Sequence, residues 1–554
     1  MKVYAYIVFL FFFLLCIGTL FLSSSSFVSA QTTPKEYSFI FCSAAILITG
    51  ALCILFGNLP KLRFHNFVLP VCLIITVLMT FQALYGIAQF MHLFSTVGRF
   101  RVTGSFDNPA GFAAGLCAGF PFFFYFLKRK EKWMQIASLI GMAIIVFTVF
   151  LSGSRAGMVT LAVVCILGFF HFFRITTKQK IAVGIFLAVL ITGLYFYKKD
   201  SANGRLLIWR CSWEMIKDKP LTGYGHGGFK ANYMNYQATY FEDHPNIKQA
   251  LLADNISRPF NEYIGLLVNY GFSGFLLFLL LVFYLIKSFR RIPNKTIITH
   301  IIAWSLTAIA VFALFSYPLR YPFVRVIGLL SILVVLFSSP LTPLLAGEGG
   351  GLHRRKRLVM TAAVLILLII PVVCFKSYNR LLAEMKWTKI AHQSLAGQTE
   401  QMLPEYKLLH SKLRNNELFL YNYAAEQNFS KHYEESLVIA RECESLWGDY
   451  DLQMLIADNY QQLKDYAKAE QHYRKAAAMC PAKFVPLYQL AKMLDAIGRN
   501  DEAVALAIQI VNKPIKVLST QIVAIQREMR ELILKNQRQG NALNEQPFDS
   551  ALPP

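Results

Sequence analysis

Charge is scarce in this chain. Asp, Glu, Lys and Arg together make up 16% of its 554 residues, against about 25% in a typical soluble domain. Apolar residues make up 55%, and Phe alone occurs 47 times. That excludes a disordered chain and fits a single soluble domain poorly. Negative charge is the scarcer sign, 32 Asp and Glu against 55 Lys and Arg, for a net charge of +23. No C-x-x-C pair occurs among the ten cysteines, which argues against a zinc site or a redox dithiol. Seven of them (Cys16, Cys42, Cys53, Cys72, Cys117, Cys165 and Cys374) fall inside apolar runs, where Cys acts as a small hydrophobe. Soluble-enzyme signatures are missing too. There is no H-E-x-x-H and no G-x-S-x-G, and the Gly-rich stretch Gly347–Gly351 lacks the Lys-Ser/Thr that completes a phosphate loop.

What is present divides in two. Residues 1–375 carry 33 Lys/Arg and 11 Asp/Glu, whereas residues 376–554 carry 22 and 21. In the first part, apolar runs long enough for a hydrocarbon core recur at 3–22, 37–56, 67–90, 110–127, 135–151, 157–173, 181–197, 263–286, 297–315, 323–337 and 358–375. The expectation is an all-α polytopic membrane helix bundle of about 11 spans over residues 1–375. The first run could instead be a signal peptide ending near Val28-Ser29-Ala30, although it is longer than the usual apolar core.

The basic residues orient the bundle. With Lys2 inside, alternate loops collect Lys61, Arg63, Lys128, Arg129, Lys130, Lys132, Arg174, Lys178, Lys180, Lys287, Arg290, Arg291, Lys295, Arg354, Arg355, Lys356 and Arg357, 18 in all with Lys2. The short outer loops hold six: Lys35, Arg99, Arg101, Arg155, Arg320 and Arg325. This charge follows topology rather than one basic face, so nucleic acid is not an expected partner. The large loop 198–260 and the C-terminal region are then both expected outside. Five of the six outer-loop exceptions are arginines, and Arg205, Arg210 and Arg258 add to them in the large loop. A guanidinium binds phosphate bidentately, so these residues suggest an outer-face site for a lipid-linked diphosphate. Snorkelling to the headgroups is the alternative.

Residues 417–514 show a period of about 34 residues. Ala457, Tyr460, Ala469, Tyr473, Ala476 and Pro481 occupy the small and aromatic positions of a tetratricopeptide repeat. Leu487, Leu490, Ala491, Leu494, Gly498, Ala503 and Pro514 follow in the next copy, and Ala424, Ser436 and Ala440 mark an earlier, weaker one. An α-solenoid over 376–537 with flanking helices is expected, ending in a polar tail at 538–554. Repeats of this kind commonly bind a protein partner; a passive spacer is the other reading.

Short motifs fall on the expected outer loops. They are Arg99-Phe-Arg-Val-Thr-Gly-Ser-Phe-Asp-Asn-Pro-Ala110, Ser152-Gly-Ser-Arg-Ala-Gly157, Gly204-Arg-Leu-Leu-Ile-Trp209, Pro220-Leu-Thr-Gly-Tyr-Gly-His-Gly-Gly-Phe229 and Arg258-Pro-Phe-Asn-Glu-Tyr263, the last running on to Asn269-Tyr-Gly271. This ordered set, over about residues 60–340, resembles the O-antigen ligase and polymerase superfamily of bacterial inner-membrane glycan-processing proteins. The resemblance implies a GT-C-like architecture in the inner membrane, with the large loop and the repeats periplasmic. It also implies a donor glycan on undecaprenyl diphosphate, and a lipid or protein acceptor or, for a polymerase, a growing chain on the same carrier. No cofactor or metal is implied, since arginines can neutralise the departing diphosphate. The clamp candidates are Arg101, Arg155, Arg205, Arg258, Arg320 and Arg325, with Asn108, Trp209 and Asn261 as further substrate contacts. Many ligases carry His immediately before the Asn of the Asn-Glu segment. Here Phe260 stands there and cannot accept a proton, which leaves Glu262, His226 and His244 as candidate bases. A non-catalytic scaffold that recruits envelope-glycan assembly partners through its repeats is the reading from another class.

Overall fold

The computed structural model describes residues 2–56, 65–96, 98, 100–174, 176–245, 247–339 and 352–544. Lys61, Arg63, Arg99 and the Gly347–Gly351 stretch lie outside the described residues. Among the described residues there is no strand. In chain order the helices are α1 (Lys2–Phe21), α2 (Thr33–Phe56), α3 (His65–Phe90), α4 (Pro109–Gly119), α5 (Phe124–Leu127), α6 (Lys132–Leu151), α7 (Arg155–Phe172) and α8 (Thr177–Tyr197). Then come α9 (Lys199–Asp218), α10 (Gly228–Asp243), α11 (Ile247–Leu252), α12 (Glu262–Arg290), α13 (Ile297–Ala313), α14 (Pro322–Ser338) and α15 (Leu352–Gln393). The C-terminal set is α16 (Thr399–Leu413), α17 (Glu417–Phe429), α18 (Tyr433–Glu444), α19 (Tyr450–Gln462), α20 (Tyr466–Met479), α21 (Val485–Ala496), α22 (Asn500–Val511) and α23 (Thr520–Asn544).

Eight segments are long and apolar enough to cross a membrane, and three shorter apolar helices, Tyr6–Phe21, Ile297–Ala313 and Pro322–Ser338, fall where the remaining spans were expected. The chain forms two compact units. One holds residues 1–198, 260–266 and 273–389; the other holds 199–259, 267–272 and 390–554. The boundary expected at 375 falls inside α15, whose apolar and polar stretches continue as one helix. The large loop shares a unit with the C-terminal helices rather than with the apolar bundle. The tail expected from 538 is helical to Asn544, because α23 runs on through it.

In the first unit, α4 is the buried centre and packs against α3, α7, α13 and α14. Its start is written in the sequence: Asn108 caps it by accepting from Gly111 N at 2.9 Å, and Pro109 follows at the first helical position. Its run of Gly and Ala lets neighbours approach closely, which is how helices associate in lipid. A Cβ on Gly111 would stand 2.3 Å from the Tyr321 ring. Pro121 has no N–H to continue the ladder, and the chain tightens into a 3-10 turn at Phe120–Phe123 before α5.

In the second unit, α17/α18, α19/α20 and α21/α22 are helix hairpins with three-residue connections. The middle residues of those connections, Lys431, Lys464 and Gly498, all have positive φ. The next residue closes each turn in the same way: His432 N donates to Gln427 O, Asp465 N to Tyr460 O and Arg499 N to Leu494 O, each at 2.9 Å. Equivalent turns are thus 33 and 34 residues apart. Ala424, Ala440, Ala457, Ala469, Ala476, Ala491 and Ala503 are fully buried, as close stacking of helix pairs requires.

The loop helices dock on this stack. Gly448 N donates to Lys230 O at 3.0 Å, Asn255 Nδ2 to Asp449 Oδ2 at 2.7 Å and the buried Gln237 to Met479 O at 2.6 Å. Lys230 is ion-paired with Glu417.

One buried network makes this unit acid-sensitive. Burial, followed by the nearby Arg441 guanidinium, pushes His472 down to about 4. The ring's two nitrogens face Gln453 Oε1 at 2.7 Å and Arg441 at 3.1 Å. Burial would raise Glu444, but hydrogen bonds from Gln453 and Arg441 and the charge of Lys475 outweigh it and hold Glu444 at about 2. The unfolded chain takes up a proton on His below about 6.5 while the folded one does not, so stability falls as pH drops from there towards 4. The Glu444 contribution is full above about 4.5 and is lost as pH falls towards 2. The His472 share is of order 3 kcal/mol. Hydrogen-exchange protection factors in α18–α20 of the full chain, corrected for the intrinsic exchange rate at each pH, should fall between pH 7 and 4.5, and His472→Gln should flatten that dependence. An unchanged pH profile in the variant would contradict this assignment.

Candidate functional site

Three segments of the first unit interlock around the start of α4. Gln89, which is buried, accepts from both Thr103 N at 3.0 Å and Gly104 N at 2.7 Å, and donates back to Gly104 O at 2.9 Å. That fixes the stretch leading to Asp107 and Asn108. Asp107 is ion-paired with Arg320 at 3.1 Å. Asn108 Nδ2 lies 2.8 Å from the Tyr321 hydroxyl. The third segment is the start of α12, where Asn261 caps the helix by accepting from Tyr263 N and Ile264 N and donates to Leu314 O at 3.0 Å. The Glu262 carboxylate accepts from Leu319 N at 3.2 Å.

Aromatic rings knit these segments together. Phe106 meets Tyr321 edge-on at 5.6 Å, Tyr321 stacks with Tyr317 at 6.2 Å, and Tyr317 lies 5.4 Å from Phe260. Phe260 has φ +54°, a left-handed conformation that is rare for a bulky side chain and that surrounding structure must enforce. The result is a rim carrying one ion pair, one carboxylate and an aromatic wall.

The expected clamp arginines are divided. Arg101 is exposed on the segment that leads to Asp107. Arg155 opens α7 and donates to Leu194 O and Lys198 O at the end of α8, so its charge sits on the negative end of that helix. Arg320 pairs with Asp107, and Arg325 pairs with Glu36. Each keeps further guanidinium donors beyond its ion pair. Arg205 and Arg258 belong to the second unit and are half-buried.

Within the second unit the Gly-rich turn closes on the strained middle of α12. Tyr224 N donates to Val268 O at 3.0 Å, Gly225 N to Asn269 O at 2.7 Å and Phe272 N to Pro220 O at 2.7 Å, while Asn269 Oδ1 accepts from Phe229 N at 2.9 Å. Gly271 has φ +62° and ψ −166°, and a Cβ there would stand 2.4 Å from the Leu221 carbonyl. Only glycine fits that combination. Trp209 donates its indole N–H to Pro259 O at 2.9 Å, so this ring braces the loop.

The three candidate bases are divided between the two units. Glu262 lies in the first unit. His226, 3.1 Å from the Tyr270 hydroxyl, and His244, stacked on Tyr240, lie at opposite ends of α10 in the second. Sequence reasoning missed Asp107, Tyr317 and Tyr321. The doubled Tyr-Pro at 317–318 and 321–322 was the available signal for the two tyrosines. Among the described residues, no group of three or more His, Cys, Asp and Glu side chains could hold a metal ion.

Comparison with known proteins adds one finding. Residues 140–279 match the O-antigen ligase family model. The match covers about a quarter of the chain. It includes the Ser-Arg turn before α7, the loop helices α9 to α11 and the Asn261-Glu262 entry to α12. No curated protein and no solved structure matches the chain. The family match and the apolar helices together point to a membrane protein with an O-antigen ligase-type function in general.

Proposed function

We propose that this chain is a glycosyltransferase of the O-antigen ligase type, moving a glycan from undecaprenyl diphosphate to a lipid or protein acceptor on the outer face of the bacterial inner membrane. The observation that carries the reading is the rim where Asp107–Arg320, Asn108–Tyr321 and Glu262 converge, taken with the family match that reaches Glu262. In the reaction the acceptor oxygen bonds to the anomeric carbon as the bond from that carbon to the diphosphate oxygen breaks. The electron pair leaves with the diphosphate, and the acceptor proton passes to a base. Glu262 is that base, since Phe260 cannot serve. Arg101 and Arg320 stabilise the charge that builds on the departing diphosphate. Arg155 adds positive potential at the outer end of α7.

The bundle has eleven spans in this reading, and the C-terminal hairpins are tetratricopeptide repeats. The loop 199–259 and the repeats pack as one compact unit, which supports placing both on the same, periplasmic side. Reporter fusions at residue 230 and after residue 537 should both give an outer-side signal. A cytoplasmic signal from either contradicts this topology.

The activity itself is tested in a deletion strain. Full-length glycan should remain on its carrier, with none on the final acceptor. Loss of long polymer would favour polymerisation of lipid-linked repeat units instead, and an unchanged glycan profile would favour a scaffold.

A further inference from the structure

A second cluster of ionisable side chains lies at the other end of the α4–α5 segment, away from the transfer rim. Lys128 Nζ, just after α5, sits 3.0 Å from His171 Nε2 in the last turn of α7. The His171 ring lies against His300, in the first turns of α13, with centroids 4.5 Å apart and planes inclined at 49°. The buried Trp304 backs both rings, at 5.5 Å and 6.0 Å. Lys295 lies over the Phe289 ring beside His300. The cations acting on His300 are Lys295 and Lys128.

The sequence supplies almost nothing to balance them. Between Asp107 and Asp200 the one acidic residue is Glu131, and between Glu262 and Glu348 there is none. Glu131 is itself paired with Arg129 at 3.4 Å. Thr296 begins α13 without a side-chain cap, so the helix leaves its first N–H groups and its positive end on the same cluster. Two lysines and a helix N-terminus without a carboxylate, set beside two imidazoles, make a concentration of positive potential that an external anion would relieve. The surroundings identify the carrier of that anion. Phe169 and Phe173 are exposed on α7 and just beyond it, and the loops involved are those whose basic residues mark the inner leaflet.

We propose that Lys128, His171, His300 and Lys295 form a binding site for the phosphate of an anionic phospholipid headgroup at the inner end of α5, α7 and α13. Lys128 and Lys295 supply the charge, His171 and His300 supply ring N–H donors, and the acyl chains run down the apolar faces of α7 and α13. The site is independent of the transfer reaction.

The test uses the full chain purified into nanodiscs of phosphatidylglycerol and phosphatidylcholine, with retained lipid read by native mass spectrometry. The wild type should retain phosphatidylglycerol selectively. Lys128→Gln and Lys295→Gln should each reduce that retention roughly fivefold. Both lysines are exposed, so neither change burdens folding. Lys128→Arg should restore retention, and Lys130→Gln, on the same loop outside the cluster, should leave it unchanged. Equal retention in the wild type and in both variants overturns the proposal. Displacement of the lipid by inorganic phosphate at matched concentration would assign the site to free phosphate and likewise overturn the lipid assignment.

Discussion

Glu262→Gln should reduce glycan transfer by about 100- to 10,000-fold, the usual contribution of a general base, while leaving protein levels and thermal stability unchanged. The amide oxygen of Gln can still accept from Leu319 N, so the contact between the start of α12 and the Tyr-Pro segment survives. The proton acceptor is lost. Arg320→Ala should cost about 100- to 1000-fold, comparable with removing one preorganised donor at a developing anion. It also leaves Asp107 without its ion-pair partner, so Arg320→Lys is the informative companion: it keeps the charge and loses the planar fork. If Glu262→Gln transfers glycan at the wild-type rate, Glu262 is a positioning carboxylate and the base lies elsewhere.

The second large effect is on folding of the loop. Gly271→Ala should destabilise the second unit by several kcal/mol, because φ +62° with ψ −166° is accessible to glycine alone and the added Cβ would strike the Leu221 carbonyl. Gly225→Ala separates the two causes. Its φ is +82°, but nothing lies within 4 Å of the added Cβ, so only the backbone strain of ~1–2 kcal/mol applies. Hydrogen exchange over residues 219–229 should rise strongly in Gly271→Ala and mildly in Gly225→Ala. Equal protection in both would mean that the turn is not anchored on Asn269-Tyr-Gly271.

Local features of this chain were legible in its sequence and distant pairings were not. Asn108-Pro109 reads as a helix start, and it is one. The period of the C-terminal helices appears in buried alanines, and the hairpin turns at Lys431, Lys464 and Gly498 recur at that period. The Gly-rich stretch 223–228 and Asn269-Tyr-Gly271 were visible separately. Their joining was not, because it is made by backbone hydrogen bonds that carry no side-chain signature. Asp107 and Arg320 are 213 positions apart, and nothing in either neighbourhood names the other. The arginines looked alike in sequence because each ends an apolar run. The fold distinguishes them by partner: a carboxylate for Arg320 and Arg325, helix-end carbonyls for Arg155, and exposure for Arg101. The large loop read as an appendage of the bundle because it interrupts the bundle's spans. Its contacts instead lie with a segment that begins more than a hundred residues later.

Whether this chain itself performs the transfer is tested most directly in vitro. Purified full-length protein in detergent, where no transmembrane gradient exists, is supplied with undecaprenyl-diphosphate-linked glycan and acceptor, and acceptor-linked glycan is measured over time. The wild type should turn over, with near-complete loss in Glu262→Gln and Arg320→Ala. Failure of a folded wild type to move any glycan onto the acceptor would contradict the proposed function.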